Sequence, residues 1–178
     1  PFFEGMQFIG ADYIEGPGVD VVIDLRQMDL PDDSIKTAFC LEVLEHVDDV
    51  QKAVSELHRV MAPDGVLIIS VPMNIRIHGS PHDYWRFTPE GLNHLLKEFE
   101  HRFIGAVGRD DYPDNILAVV SKHPIDLSAF KIAFADYSRR WTPRWYSARL
   151  KVTPMARLVL PRIFLGDELE LWLRRRKD

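Results

Sequence analysis

Residues 19–71 constrain the fold more than any other part of the chain. Three short runs rich in β-branched and apolar residues, at 19–23, 35–41 and 66–71, have the length and composition of strands. Between the second and the third, Val50, Ala53, Val54, Leu57, Val60 and Met61 recur at helical spacing. Asp48 or Asp49 is placed to cap that helix, and Pro63-Asp64-Gly65 stops it. A strand, a helix and a strand in this order make a parallel pair. Acidic residues follow two of the runs, Asp24 after the first and Glu42 after the second. In open parallel sheets that is where ligands bind, outside the carboxyl ends of the strands.

The rest of the chain fits the same plan. Residues 6–11 form a strand ending at Asp12, and Gly16-Pro17-Gly18 makes the tight turn that follows. That link is too short for a crossover helix, so an abbreviated loop must join the two strands. Thr88-Pro89-Glu90 opens a second helix, with Thr as N-cap and Pro in the first turn. Residues 103–107 and 116–121 are two closing strands with only a turn between them, which predicts an antiparallel edge. After Pro124 the pattern is helical and basic, interrupted by Pro143, Pro154 and Pro161. The expected fold class is α/β, a mostly parallel sheet with an antiparallel edge strand. It occupies residues 1–123, with a basic helical extension over 124–178.

Composition narrows the setting. No apolar run approaches the roughly 20 residues that span a bilayer. The single cysteine, Cys40, excludes an internal disulfide and suits a reducing, cytoplasmic setting. Residues 1–123 hold 10 Lys+Arg against 21 Asp+Glu, whereas residues 124–178 hold 12 against 6. The basic tail either faces an anionic surface or partner protein, or docks on its own acidic body.

Several residues are placed for chemistry. Asp12, at a strand end, has two readings: an acceptor for vicinal ribose hydroxyls, or a turn aspartate satisfying backbone N–H groups. Asp24 can accept from an exocyclic amine while Leu25 packs on a ring. In the segment 39–47 (FCLEVLEHV), Glu42 or Glu45 can attract a cationic group. His46 is either a general base, since imidazoles titrate near neutrality, or a backbone-bonded residue fixing a helix entry. The loop 73–88 gathers His78, His82, Asp83, Tyr84, Trp85, Arg76 and Arg86. Its flat rings suit a sugar or aromatic acceptor, and its arginines an anionic one. The plainer reading makes Trp85 and Phe87 a packing plug and Asp83–Arg86 a local ion pair. A metal site built from His78, His82 and Asp83 is disfavoured because Gly79 and Pro81 oppose the helix that His-x-x-x-His requires, so no metal is expected.

These segments resemble the class I S-adenosylmethionine-dependent methyltransferases. The resemblance covers about residues 6–123 and rests on Asp12, on Asp24 followed by the Leu30-Pro31 turn, and on Leu44-Glu45-His46. It rests also on Arg59-Val60-Met61-Ala62-Pro63-Asp64-Gly65 and on the His78-Gly79-x-Pro81-x-Asp83-Tyr84-Trp85-Arg86-Phe87-Thr88 run. It implies a Rossmann-like sheet and S-adenosyl-L-methionine as cofactor, held by Asp12, Asp24, Leu25, Leu41 and Glu42. It implies His46 as the catalytic residue, and a small-molecule acceptor, a saccharide for instance, facing His78, His82, Asp83, Tyr84, Trp85 and Arg86. One element departs from the pattern. The family's first strand and glycine-rich turn do not occur before Asp12, and Gly16 and Gly18 fall after it. The expectation is an upstream segment that completes the sheet; the alternative is an inactive scaffold that binds no cofactor.

Overall fold

The computed structural model describes residues 8–79, 82–109 and 111–141. Its elements are β1 (Ala11–Asp12), β2 (Val21–Val22), β3 (Ile35–Leu41), a 3-10 turn (Leu44–His46), α1 (Val50–Val60), β4 (Met61–Pro72), α2 (Pro89–Leu95), β5 (His101–Gly108), β6 (Pro113–Ser121) and α3 (Ser128–Trp141). Residues 6 and 7 of the expected first strand lie outside the described residues, as does the tail from 142 onward with Pro143, Pro154 and Pro161.

Four strands form one sheet in the order β3-β4-β6-β5. β3 and β4 are parallel, with Ala38 opposite Leu67 and Leu41 opposite Ser70. β6 runs antiparallel to both β4 and β5, so three of the four strands point the same way. The closing hairpin forms the edge of the sheet as expected, and the reversed strand lies one position in from the border. β1 and β2 pair in parallel through a loop without a helix, Ala11 opposite Val21. Among the described residues they form a separate two-stranded sheet with no strand pairing to the other.

Local chemistry explains the element ends. The Asp49 carboxylate accepts from the Lys52 N–H at the start of α1, and Thr88 Oγ1 accepts from Gly91 N–H at the start of α2. Pro63-Asp64-Gly65 does not stand as a separate turn: Met61 already pairs with Ile35, and an irregularity after Ile35 takes up the extra residues. The core lies on one face of the sheet. Val50, Ala53, Val54, Leu57 and Val60 of α1 pack with Leu92 and Leu96 over Leu67, Ile69 and Val71 of β4 and Ile116, Ala118 and Val120 of β6. On the opposite face, Phe130 and Phe134 of α3 meet Phe103 edge-on. A Cβ at Gly105 would stand 2.4 Å from the Phe134 ring, so glycine is what lets this helix approach β5. Near β3 that face is open: Phe39 and Leu41 are 41% and 49% exposed.

An ionic clamp ties α1 to the loop after β2. Arg59 donates to the Glu56 carboxylate at 2.8 and 2.9 Å, to the carbonyls of Leu30 and Met28, and to Asp32. Glu56 in turn accepts from the Met28 N–H. Arg59, and next the Met28 N–H, hold the Glu56 carboxyl down to about 2. Among the described residues no helix is long and apolar enough to cross a membrane.

Two outcomes follow. Leu57→Ala should cost about 2–5 kcal/mol in a urea unfolding series, whereas Leu41→Ala on the open face should stay within about 0.5 kcal/mol. Because folding lowers the Glu56 pKa from its ordinary 4.5, the clamp contributes fully above that pH and is lost as pH falls toward 2. The stability gap between the parent and Glu56→Gln should therefore close across that window in acid titrations followed by circular dichroism.

Candidate functional site

The parallel register of β3 and β4 brings two chain exits side by side. Beyond Leu41 the chain turns through Glu42, which takes a left-handed φ of 55°. Such a conformation costs a non-glycine residue on the order of 1 kcal/mol and persists where neighbours over-determine it. Here the Glu42 N–H donates to the Ser70 carbonyl at 3.0 Å. Its carboxylate accepts from Ser70 Oγ at 2.6 Å and from Asn115 Nδ2 at 2.8 Å. Glu42 is thus braced across three strands through its backbone N–H and Oε1.

The chain then buries the 3-10 turn. Leu44 and Glu45 are fully enclosed, and the Glu45 carbonyl accepts from the Tyr84 N–H at 2.7 Å and the Trp85 N–H at 3.3 Å. Trp85 Nε1 donates to the Val47 carbonyl at 2.8 Å. The loop after β4 therefore folds directly onto the exit of β3. His46 joins them: its Nδ1 meets the His82 carbonyl, and its ring stands edge-on to His78 with centroids 5.1 Å apart. Burial of Glu45 raises its carboxyl above the usual range.

Inside the loop, Asp83 is the organiser. Its side chain is 2% exposed and bonds the Arg86 guanidinium through both oxygens, while Oδ2 also accepts from the His78 N–H at 2.8 Å. Arg86 holds the Asp83 carboxyl far below the usual carboxylate range. Arg86 also reaches the carbonyls of Trp85 and Arg76. The ion pair and the buried Phe87 match the packing reading of this loop, while Tyr84 and Trp85 keep 47% and 39% of their surface exposed. Ser80 and Pro81 lie outside the described residues.

The nucleoside-side residues are arranged differently. The Ile23 N–H donates to the Asp12 carbonyl at 2.8 Å, which sets the tips of β1 and β2 together. Asp12 Oδ1 accepts from the Ile14 N–H at 3.1 Å, the turn role weighed above, and the residue is exposed. Asp24 is committed to Arg26, which donates through Nε and Nη2 and reaches Asp48 with Nη1 at 2.8 Å. Arg26 accordingly lowers the Asp24 carboxyl. A cleft of about 360 Å³ is lined by Asp24, Arg26, Gln27, Asp48, Asp49 and Lys52. Asp12 and Glu42 are not in its lining. Leu25 is half-buried against the core.

Comparison with known proteins places this geometry. Residues 9–69 match the family model described as a methyltransferase domain. A Mycolicibacterium smegmatis protein described as a probable S-adenosylmethionine-dependent methyltransferase is 36% identical over 77 residues, 38% of this chain and 30% of the relative. A SAM-dependent methyltransferase from Archaeoglobus fulgidus has a TM-score of 0.53 at 16% identity, over 66% of this chain and 76% of that one. The fold is that of the class I S-adenosylmethionine-dependent methyltransferases. Burkholderia thailandensis 1,6-didemethyltoxoflavin-N1-methyltransferase, with bound 1,6-didemethyltoxoflavin and S-adenosylhomocysteine, has a TM-score of 0.52 at 19% identity, over 67% and 63% of the two chains. The chain spans 30% of the length of its curated relative.

Within the methyltransferase fold, sequence reasoning placed His46 beside the 78–86 loop, and the two do meet. It did not select Arg26, Ser70 or Asn115, and it named Glu45 only as an alternative to Glu42. The motif D-x-R at Asp24 is a local signal for the Arg26 pair. Nothing in the spacing announces Asn115, 73 residues from Glu42. Asp83→Asn should loosen the loop while leaving the sheet intact. Exchange of the Tyr84 and Trp85 amides, read by hydrogen–deuterium exchange, should speed up by about tenfold or more, while β4 amides stay protected.

Proposed function

We propose that this chain is the catalytic part of a S-adenosylmethionine-dependent methyltransferase acting on an oxygen or nitrogen of a small polar acceptor, with a saccharide the favoured class. The observation that carries the reading is the junction of the β3 exit with the β4–α2 loop, where Tyr84 and Trp85 bond the Glu45 carbonyl. On this reading the junction would stand between the cofactor side and the acceptor side, as the family resemblance of Leu44-Glu45-His46 implies. The methyltransferase-domain match over residues 9–69 supports the same reading.

The residues fit the cofactor in part. Asp12 offers an exposed carboxylate at the β1 tip for a ribose, and Leu41 an open apolar surface for the floor. Asp24 and Leu25 would border the base, with Arg26 moving off Asp24, and Glu42 would act from its braced position. When bound, the cofactor supplies an electrophilic methyl group. The chain's own contribution is alignment, which in such displacements is worth about 7–11 kcal/mol. Tyr84 and Trp85 would seat the acceptor beside His78 and His82, and Asp83 with Arg86 would hold the loop in place. His46 would take the acceptor's proton at Nε2, since Nδ1 is engaged with the His82 carbonyl.

On charge alone, the basic residues of 124–178 would suit an anionic surface or a partner protein, or equally the chain's own acidic residues. The lone buried thiol, raised to about 12 by desolvation, suits the reducing cytoplasm. The second reading is a scaffold that binds no cofactor, favoured by the commitment of Asp24 to Arg26. Isothermal titration with S-adenosylhomocysteine decides between them. The methyltransferase reading expects saturable binding that Asp12→Asn weakens by about tenfold or more. Absence of binding both to this chain and to a chain extended upstream of Pro1 establishes the scaffold instead, whereas binding by the extended chain alone supports an upstream segment that completes the site.

A further inference from the structure

Glu45 is the one carboxylate among the buried side chains of the described residues that lack a hydrogen-bond partner; the other such group is the neutral Ser121 hydroxyl. Its side chain is fully buried, yet among the described residues neither carboxylate oxygen accepts a hydrogen bond. A buried carboxylate left this way is expensive unless a cation or a proton compensates it. Two imidazoles stand close to it. His46 Nε2 lies 3.6 Å from Glu45 Oε1, and one ligand atom each from Glu45, His46 and His78 lie within 4.8 Å of one another.

We propose that Glu45, His46 and His78 hold a divalent transition-metal ion between the exit of β3 and the β4–α2 loop. Ligands bonded at about 2.1 Å stand roughly 3.0–3.4 Å apart, so the three groups need to close by at most about 2 Å. His78 sits on the rim with its side chain 39% exposed and can supply that movement, whereas Glu45 is rigidly enclosed. The outer contacts have the form that metal-binding histidines use. An imidazole that gives its second N–H to a carbonyl or carboxylate fixes its tautomer and aims the other nitrogen at the ion. His46 Nδ1 meets the His82 carbonyl, which leaves Nε2 turned to Glu45. His78 Nδ1 lies 3.4 Å from both Asp83 Oδ2 and the Arg76 carbonyl. Asp83 is itself anchored by Arg86.

Two imidazoles and one carboxylate favour zinc, cobalt, manganese or iron over magnesium or calcium. Three protein ligands leave coordination positions open on the exposed His78 side, where water or an acceptor oxygen would bind and lose its proton more readily. With the ion in place, His46 Nε2 is a ligand and no longer a base. The two roles exclude each other, and the site does not depend on cofactor binding.

The test uses cobalt(II) alone as the probe, followed by its visible absorption on titration into the metal-free full chain. The expected result is one equivalent bound, displaced by zinc and not by magnesium. Glu45→Gln and His78→Ala should each weaken binding by about tenfold to a hundredfold. His123→Ala, in the separate exposed pair with Glu100, should leave it unchanged. His78→Ala is on the rim and keeps the fold, so the outcome does not rest on the buried variant. Absence of cobalt binding to the parent chain, or equal binding by the parent and both site variants, overturns the proposal.

Discussion

The parallel pairing of β3 with β4 is the constraint on which the site depends. Register places Leu41 opposite Ser70, and one residue later the Glu42 N–H closes on the Ser70 carbonyl. From that point the two chains leave the sheet together, and each must find partners for the polar groups of its first turn. They find them in each other. The Glu45 carbonyl takes the Tyr84 and Trp85 amides, the Val47 carbonyl takes the Trp85 indole, and the His82 carbonyl takes the His46 ring. Satisfying buried backbone groups and assembling a site are here the same event.

The division of labour inside the 78–87 loop follows from burial. Asp83, almost wholly enclosed, can exist as an anion because Arg86 and the His78 N–H surround it. Those residues position the loop. Tyr84 and Trp85 use their backbone and, in Trp85, the indole N–H to anchor, and this leaves ring surface facing outward. The same segment therefore acts as a packing element and as a candidate binding surface, and the two readings of its sequence are complementary.

Much of the fold was legible in the residues. The helical spacing from Val50 to Val60, the Asp49 and Thr88 caps and the run at 35–41 all appear where pattern and propensity put them. Two departures have plain causes. Met61 and the Pro63-Asp64-Gly65 segment join β4 because Met61 finds a pairing partner in Ile35, a distant contact that no local stop signal reveals. Among the described residues β1 and β2 are two residues each and pair with each other alone, so backbone pairing rather than β-branched content sets their length. At the candidate site, the residue types of His46 and the 78–86 loop and their positions after strands pointed to segments that do meet. The commitment of Asp24 to Arg26 and of Glu42 to Ser70 and Asn115 was not.

The residues alone determined where most strands and helices begin, how α1 and α2 are capped, and which stretches carry groups capable of chemistry, because these depend on neighbours within a few positions. Tertiary structure alone decided that Glu45 is sealed without a hydrogen bond, that the His46 and His78 rings meet, and that Asn115 reaches Glu42. Those contacts join residues 32 and 73 positions apart, or depend on what covers a side chain. Packing and register fix such distances, and no short-range pattern encodes them.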